Sequence, residues 1–524
     1  MFLLLRSALC STCAATDRQT EKRFAMESAL LDQLLGTLDV RGFLVFLMVF
    51  LLITDIMKKI NPKNFPPGPW PLPFIGNVFN IDAKQPHIYM CKLAQYYGDV
   101  FSLQLGRDKT VVVNGYKLVK EALVNQADTF SGRPLTPVVY HINKGQGLAL
   151  NTGYSWKQQR RFTLATLRSF GLGKRSLESQ IQLEIQHLHQ AMLEEQGRPF
   201  DPHLTINNAV SNVICSLLFG RRFEYSDASY QQLLRLIFEA IYLEGSIWAT
   251  LYNAFPTLMN VLPGGHQLLF SDYNKVSDFL REEISKHQQD RDPSAPRDYI
   301  DCYLEEIEKN QGDPESVFYK ENLCYCMLDL FVAGTETTST TLRWAMLYLI
   351  KYPEVREKVQ AEIDRVVGQE RPPSMADRAQ MPYTDAVIHE VQRMGNIVPL
   401  NVLHMTTRDT MLGGYFLPKG TQVIPNLTSV LFDKSEWQTP DCFNPGHFLD
   451  EDGKFVKRDA FMPFSAGKRV CLGESLARME LFLFFTSFFQ RFTFSLLDKS
   501  EPNMEGKVGF TNFPLPFKVC AAPR

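Results

Sequence analysis

Apolar positions recur along most of the chain at the spacing of an α-helix, and two short runs early in the chain alternate as a strand does. Short strand-like pieces are also predicted over about 397–448, and closing strands after the last helix. The first pattern predicts helices over 116–125, 154–168, 177–195, 204–219, 227–243, 266–288, 383–394 and 473–489, with another opened by Pro353. The second pattern, over 100–105 and 110–113, predicts a hairpin with its turn at 106–108. We therefore expect one large domain of mainly α structure with small β-sheets, an α+β fold.

The segment 321–350 is apolar nearly all round, which predicts a central buried helix. Midway along it runs Ala333-Gly-Thr-Glu-Thr-Thr338. The hydroxyl of Thr337 can bond back to the carbonyl of Ala333, and with the neighbouring glycine this predicts a local opening that admits water. An alcohol beside the carboxylate of Glu336 is a plausible proton relay. The alternative is that these small residues form a packing notch.

The N-terminal region predicts a membrane anchor over residues 26–60. Residues 42–53 are uninterrupted apolar sequence, with Arg41 before them and several lysines after. A spanning helix needs about 20 apolar residues, so this run is short, and a signal peptide or a buried core helix remains the alternative. The lysines after the run favour a cytosolic main body.

Three further divisions follow from composition. Residues 1–25 are loosely transit-peptide-like, but Met26 opens a segment that would serve as an anchor by itself, so an upstream start is equally open. Residues 61–73 include six prolines and predict a stiff hinge. The globular body is then 74–524.

Charge and cysteine usage exclude two classes of function. The chain has 55 basic and 57 acidic residues, so there is no global electrostatic case for binding nucleic acid. Its ten cysteines are scattered without a C-x-x-C pair, which argues against a zinc site or a disulfide framework.

One cysteine has an informative neighbourhood, in the stretch Phe464-Ser-Ala-Gly467-Lys-Arg469-Val-Cys471-Leu-Gly473. A thiolate ligand to haem iron favours O–O cleavage, and such a sulfur must be shielded and must accept backbone N–H hydrogen bonds. The two glycines would let the loop pass closely beneath a porphyrin. Arg469 can reach a haem propionate and Phe464 can pack beside the sulfur. The alternative is a buried structural cysteine.

This stretch resembles the cysteine-loop signature of the cytochrome P450 superfamily, F-x-x-G-x-R-x-C-x-G, at every fixed position. Other signatures follow in the family's order from about Pro66 to the C-terminus. The resemblance implies that the body, 74–524, is the catalytic haem domain, with haem b as cofactor and Cys471 as its axial ligand. It also implies that Thr337 and Glu336 are the alcohol and the acid that serve dioxygen activation.

The resemblance implies further haem contacts. Trp156 and Arg160 stand at i and i+4 on one helix face, and in the family both reach haem propionates. His404 falls where another propionate partner sits, although the adjacent Leu403 occupies a position that is commonly proline in relatives.

A structural pair is also implied. Glu390 and Arg393 lie at i and i+3 on one helix face, and in the family this pair is locked to the irregular segment before the cysteine loop. That segment carries His447 where many members have arginine, a variant that resembles the vertebrate family 2 branch.

Substrate and partners follow from the same resemblance. The positions that would line the pocket are mostly apolar and favour a lipophilic ligand; they are Val332, Ala333, Val398, Val402 and Phe510. The stretches 333–344 and 389–397 resemble subfamily J of family 2, whose members epoxidise and hydroxylate polyunsaturated fatty acids such as arachidonate. A xenobiotic or steroid monooxygenase, a lipid-peroxide isomerase and a non-catalytic haem protein are the alternatives.

Electrons must come from outside, because the chain has no flavin fingerprint and no G-x-G-x-x-G after a strand. Microsomal members of the family receive them from an NADPH-dependent flavoprotein reductase, sometimes aided by cytochrome b5. Lys157, Arg160 and Arg161 could form a docking face, or simply a solvated one. We therefore expect an enzyme at the endoplasmic reticulum membrane.

Overall fold

The computed structural model describes residues 40–58, 61–106, 108–171, 175–497 and 501–524. It divides into two units, Met1–Pro62 and Lys63–Arg524. In the first unit, helix α1 (Val40–Lys58) exposes its large apolar side chains from Phe43 to Ile53. No helix in these described ranges is both long enough and apolar enough to cross a membrane. The predicted extension 1–25, and residues 26–39 of the predicted anchor, lie outside the described residues.

The second unit is mainly helical, as expected. Its helices are α2 (Pro86–Tyr97), α3 (Tyr116–Lys120), α4 (Pro137–Asn143), α5 (Gly153–Ser169), α6 (Arg175–Glu194), α7 (Pro202–Leu218), α8 (Ala228–Glu244), α9 (Ile247–Ala254), α10 (Pro256–Met259), α11 (Gly265–Asp290), α12 (Tyr299–Lys309), α13 (Lys320–Lys351), α14 (Pro353–Val366), α15 (Pro382–Gly395), α16 (Leu427–Leu431) and α17 (Glu474–Arg491). Each predicted helix is confirmed to within a few residues, except that the one over 116–125 continues beyond α3 as a π-helical turn, Glu121–Asn125. The sequence reasoning missed α2, α4, α9, α10, α12 and α16.

The strands form one four-stranded sheet and three two-stranded sheets. The larger sheet has the order β1 (Val100–Leu105), β2 (Asp108–Val113), β6 (Gln422–Pro425), β3 (His404–Met405). The smaller sheets pair β4 (Thr410–Leu412) with β5 (Tyr415–Leu417), β7 (Phe492–Ser495) with β10 (Cys520–Pro523), and β8 (Gly506–Val508) with β9 (Asn512–Pro514). The predicted hairpin is confirmed, with Val100 opposite Val113, although its second strand begins two residues earlier than expected.

Helix α13 runs through the main apolar core and is the element around which the site is arranged. It packs against α7, α11, α15 and α17, and most of its residues between 322 and 349 are buried. The helix is continuous through Gly334, so the predicted local opening is not present. A Cβ on Gly334 would lie 3.1 Å from Cγ1 of Ile214 on α7, so this glycine admits the neighbouring helix, as the packing interpretation expected.

Candidate active site

Cys471 lies at the N-terminal end of α17, three residues before Glu474 begins the helix. Its backbone N–H donates to the carbonyl of Phe464 at 2.9 Å. Burial raises the pKa of the thiol, while the backbone N–H groups of Gly473 and Glu474 oppose that rise by favouring the thiolate. The sulfur therefore receives the N–H hydrogen bonds, and the positive end of a helix, that a metal-bound thiolate requires.

The two glycines of the loop differ in what the fold demands of them. Gly467 has a φ of +71°, and a Cβ there would lie 1.7 Å from the carbonyl oxygen of Leu123. No side chain fits at that position, because the loop lies against the backbone of the π-helical turn. Gly473 has a φ of −87°, and its Cβ would only make ordinary contact, 3.9 Å from the sulfur of Cys471.

Three arginines come together beside the cysteine loop. Burial and repulsion from one another lower the pKa of Arg133 to about 9 and that of Arg469 to about 8. Their guanidinium groups bond to backbone carbonyls, and Arg160 donates to the carbonyl of Val470 at 2.6 Å, directly beside Cys471. In the part of the chain that the structure describes, none of the three has an acidic partner. We call this group the arginine cluster.

Several polar atoms around the arginine cluster are buried and have no protein partner. They are Nε1 of Trp156, Nη1 of Arg469 and Nε2 of His404. The Arg469 guanidinium stacks on the Trp156 ring at 3.6 Å, so the two are held as one unit. Buried donors without acceptors are costly, so this region calls for an anion with several oxygens. The two propionates of haem b fit that requirement.

His404 fits only with a change of protonation. Burial and the charge of Arg133 lower its pKa well below the ordinary value, and its Nδ1 lies 2.6 Å from the carbonyl of Phe130, to which it donates. In the neutral ring Nε2 is then an acceptor. A carboxylate at Nε2 would have to bring a proton onto the ring, as an imidazolium has two donors.

The sequence reasoning missed Arg133. It belongs to Ser131-Gly-Arg-Pro134, and its Nη1 donates to the carbonyls of Val402 and Leu403 at 3.0 and 2.6 Å. Only a lone arginine between a glycine and a proline could have drawn attention to it, and that pattern has no fixed spacing from the cysteine loop.

The predicted alcohol and acid on α13 do not come together. Oγ1 of Thr337 donates to the carbonyl of Ala333 at 2.9 Å, as expected. Glu336 is buried on another face, where it accepts from Oγ1 of Thr340 at 2.7 Å, because consecutive helical residues point about 100° apart. Burial raises the pKa of Glu336, against the opposing charge of Arg343. The adjacency in sequence therefore does not make a hydrogen-bonded pair.

One face of α13 remains accessible although the helix is otherwise buried. Leu330, Ala333 and Thr337 all retain surface, and their spacing of three and four residues puts them on that face. Val332 also retains surface, but it lies two residues from Leu330 and therefore points about 200° away from it. The other predicted pocket residues, Val398, Val402 and Phe510, are also only partly buried. The five predicted pocket residues and Thr337 therefore all keep accessible surface, and all of them except Thr337 are apolar. Glu336 differs from them because it is buried.

The predicted structural pair forms a closed network. Arg393 and Glu390 are fully buried, with two N–H···O contacts of 2.7 and 2.8 Å between them. Arg393 also donates to the carbonyls of Leu431, Pro440 and Cys442. His447 lies 3.2 Å from the Glu390 carboxylate. Burial opposes ionisation of Glu390, but the hydrogen bonds from Arg393 and His447 outweigh it and lower the pKa of the carboxyl.

The outer face of α5 carries a groove of about 410 Å³ that adjoins the arginine cluster. Trp156 and Arg160 line it from within, and the exposed side chains Lys157, Arg161 and Arg168 line its outer part. The groove therefore presents a strongly basic surface next to the cysteine loop.

Comparison with known proteins decides the family. The sequence profile described as "Cytochrome P450" matches residues 66–521, most of the chain. The chain belongs to the cytochrome P450 family. Membership identifies the cofactor of this cytochrome P450 as haem with a cysteine thiolate as axial ligand.

Individual relatives agree with this assignment over nearly their full length. The chain is 55% identical to cytochrome P450 2J2 of Homo sapiens over 92% of its own length and 96% of that protein. It is 50% identical to cytochrome P450 2J3 of Rattus norvegicus, over 95% of the chain and 99% of that protein. Cytochrome P450 2C23 of Rattus norvegicus is 45% identical over 92% of the chain and 98% of that protein.

Proposed function

We propose that this monooxygenase uses O2 and NADPH-derived electrons to epoxidise or hydroxylate lipophilic substrates, polyunsaturated fatty acids such as arachidonate among them. The observation that carries the proposal is the arginine cluster with its unpartnered donors, which surrounds a cysteine held at a helix N-terminus. Haem held there would supply the redox chemistry with O2, which a cysteine thiolate ligand favours.

The residues of the chain have distinct roles in this proposal. Trp156, Arg160, Arg469 and Arg133 hold the propionates, and His404 joins them as an imidazolium. The N–H groups of α17 stabilise the thiolate. On the accessible face of α13, Thr337 holds a proton at Oγ1 and passes it toward the reacting oxygen.

Glu336 belongs to this relay only indirectly. Its carboxyl bonds to Thr340, one turn along α13 from the hydroxyl of Thr337, and its second oxygen has no protein partner. Burial raises the pKa of the carboxyl, which favours its protonated form. A proton then passes between Glu336 and Thr337 through water, after a side-chain rotation.

The proposed substrate class rests on the pocket and on the relatives. Val332, Ala333, Val398, Val402 and Phe510 offer apolar surface with few polar anchors, which suits a long hydrocarbon chain. The two relatives named 2J agree with the resemblance to subfamily J. A xenobiotic or steroid monooxygenase is the alternative within the same reaction class.

The proposed partners and location follow from two surfaces. The basic groove on α5 suits an acidic flavoprotein reductase that delivers NADPH electrons, and the same face could accept cytochrome b5. The exposed apolar residues of α1 support attachment to the endoplasmic reticulum membrane through segment 26–60, with the catalytic body in the cytosol.

The experiment that tests the function is incubation of the holoenzyme with NADPH, reductase and a mixed fatty-acid extract, followed by mass spectrometry. We expect epoxides and alcohols of arachidonate that depend on both NADPH and reductase. Unoxidised arachidonate alongside turnover of a drug or steroid would refute the substrate class alone. Products formed from a lipid hydroperoxide without NADPH would instead favour an isomerase.

Substitution of the proposed ligand tests the site. Cys471→Ser should abolish the thiolate-type red-shifted band of the reduced carbonyl complex. Cys442→Ser is the matched control, because Cys442 is an exposed cysteine outside the loop, and this variant should keep the band. An unchanged spectrum in the Cys471 variant would overturn the ligand assignment.

Thr337→Ala tests the proton relay. The variant should release more peroxide for each product molecule, because the proton donor on the accessible face is lost. Thr335→Ala is the matched control: Thr335 makes the same type of bond, to the carbonyl of Phe331 at 2.7 Å, but is buried on another face. Equal coupling in the two variants would remove Thr337 from the relay.

A further inference from the structure

A cavity of about 790 Å³ lies away from the cysteine loop, between α2, the C-terminal end of α15 and α16. None of the residues assigned above to haem, relay or substrate pocket lines it. Its volume is within the range of small-molecule sites, roughly 300–1,000 Å³.

Two buried polar atoms at the wall of this cavity have no protein partner. Asn396 is 3% exposed; its Nδ2 donates to Oγ1 of Thr428 at 2.8 Å, while its Oδ1 is unpaired. His87 is 8% exposed and its Nδ1 is unpaired. Burial lowers the pKa of His87 to about 4, so the ring is neutral at pH 7. Both atoms gain from a ligand that can hydrogen-bond to them, because unsatisfied buried polar groups are costly.

The charged lining of the cavity is acidic by one charge, because Asp99, Asp433 and Asp441 stand against Lys117 and Lys434. Oδ2 of Asp433 and Oδ2 of Asp99 lie 3.7 and 4.0 Å from the point where a Cβ on Gly115 would stand. Asp433 is already engaged by the N–H of Tyr116 and by the nearby charge of Lys117. Burial and repulsion from Asp433 raise the pKa of Asp99, which a cation bound beside it would reverse.

Apolar side chains line the same cavity. Ile88 and Ala94 come from α2, Met394 from α15, and Phe432 from the residue after α16. We propose that this cavity is a second ligand site, which takes a small lipophilic cation. The ammonium lies at Asp99, the hydrocarbon body lies along these four side chains, and any hydrogen-bond donor on the body reaches Oδ1 of Asn396.

The half-buried thiol of Cys91 also lines the cavity and reports on its occupancy. The holoenzyme in lipid nanodiscs is alkylated with N-ethylmaleimide, and the rate at Cys91 is followed by peptide mass spectrometry. Hexyltrimethylammonium is the probe, because a quaternary ammonium has no lone pair for iron. Neutral 1-hexanol and anionic heptanoate are the size-matched comparisons.

We expect hexyltrimethylammonium at ten times its Kd to slow alkylation of Cys91 about tenfold, in proportion to the fraction of empty sites. Neither comparison compound should do so at the same concentration, and the rate at Cys442 should not change. Equal protection by all three compounds, or protection by none, would overturn the proposal.

Two variants separate charge from shape. Asp99→Asn should remove the protection by the cation, whereas Asp108→Asn, at an exposed aspartate in the first hairpin, should leave it intact. Ala94→Leu keeps every charge but reduces the volume, and should weaken the protection as well. Full protection in the Asp99 and Ala94 variants would show that the cation binds elsewhere.

Discussion

The buried carboxyl of Glu480 allows the free-energy cost of ionising a group in the core to be measured directly. It lies on α17, is 1% exposed, and accepts one hydrogen bond, from Oγ1 of Thr338 at 3.0 Å. Its other oxygen has no protein partner and no basic residue pairs with it in the described part of the chain. Burial therefore raises the pKa of the carboxyl from 4.5 to about 8.

The size and sign of the effect follow from this pKa. An acid whose pKa is higher in the folded chain holds its proton more tightly there, so ionisation opposes folding. The cost is absent below pH 4.5, increases with pH and becomes constant above about pH 8. At about 1.36 kcal/mol for each pH unit, Glu480 costs about 3 kcal/mol of unfolding free energy at pH 7 and about 5 kcal/mol at pH 9.

Glu480→Gln should remove that cost, because an amide has the shape of the protonated acid and can still accept from Thr338. We expect the variant to match the native protein near pH 4.5 and to be more stable by about 3 kcal/mol at pH 7. The assay is urea denaturation of the holoenzyme at pH 5, 7 and 9, followed by helical circular dichroism. Glu501→Gln, at an exposed carboxylate, is the control. A constant difference between variant and native protein at all three pH values would refute the reasoning.

Two further predictions concern buried charges. Arg393→Lys should lower the unfolding free energy by about 3 kcal/mol or more, because an ammonium has only three donors for the Glu390 carboxylate and three carbonyls; an unchanged urea midpoint would contradict this. Asp329 accepts hydrogen bonds from the N–H groups of Leu148 and Ala149 at 2.6 and 2.9 Å. Asp329→Ala should therefore speed hydrogen exchange of these two amides, because about 1–3 kcal/mol of hydrogen-bond stabilisation is lost. Asp329→Asn keeps an acceptor oxygen and should largely preserve their protection.

Long amphipathic segments were the predictable part of the fold. Their apolar spacing persists over several turns, so the bounds of α5, α7 and α13 were found within two or three residues. The missed helices are mostly short, and three of them begin with proline, Pro86, Pro137 and Pro256. Proline fits the first turn of a helix as well as it fits a loop, so the same residue supports both interpretations.

Side-chain direction was less predictable than element position. Glu336 and Thr337 are neighbours in sequence, and the resemblance joined them as one functional pair. The fold instead puts Glu336 beside Thr340 and leaves Thr337 on the accessible face. The accessible face of a buried helix depends on how α7 and α17 pack against it. A segment that is apolar nearly all round does not show in its sequence which face that will be.

The arginine cluster shows why distant residues have to be seen together. Arg133, Arg160 and Arg469 come from three separate segments, and each alone would be a common surface residue. Together they concentrate positive charge at a place where the described chain supplies no carboxylate. The buried acids of the nearby helices, Glu336 and Glu480, accept hydrogen bonds from threonines and not from these arginines. The anion that relieves this repulsion must come from outside the chain. Ordering of this region and binding of the haem propionates should therefore be coupled. The propionates relieve the repulsion among the arginines, and the ordered arginines offset the cost of burying the propionate charges.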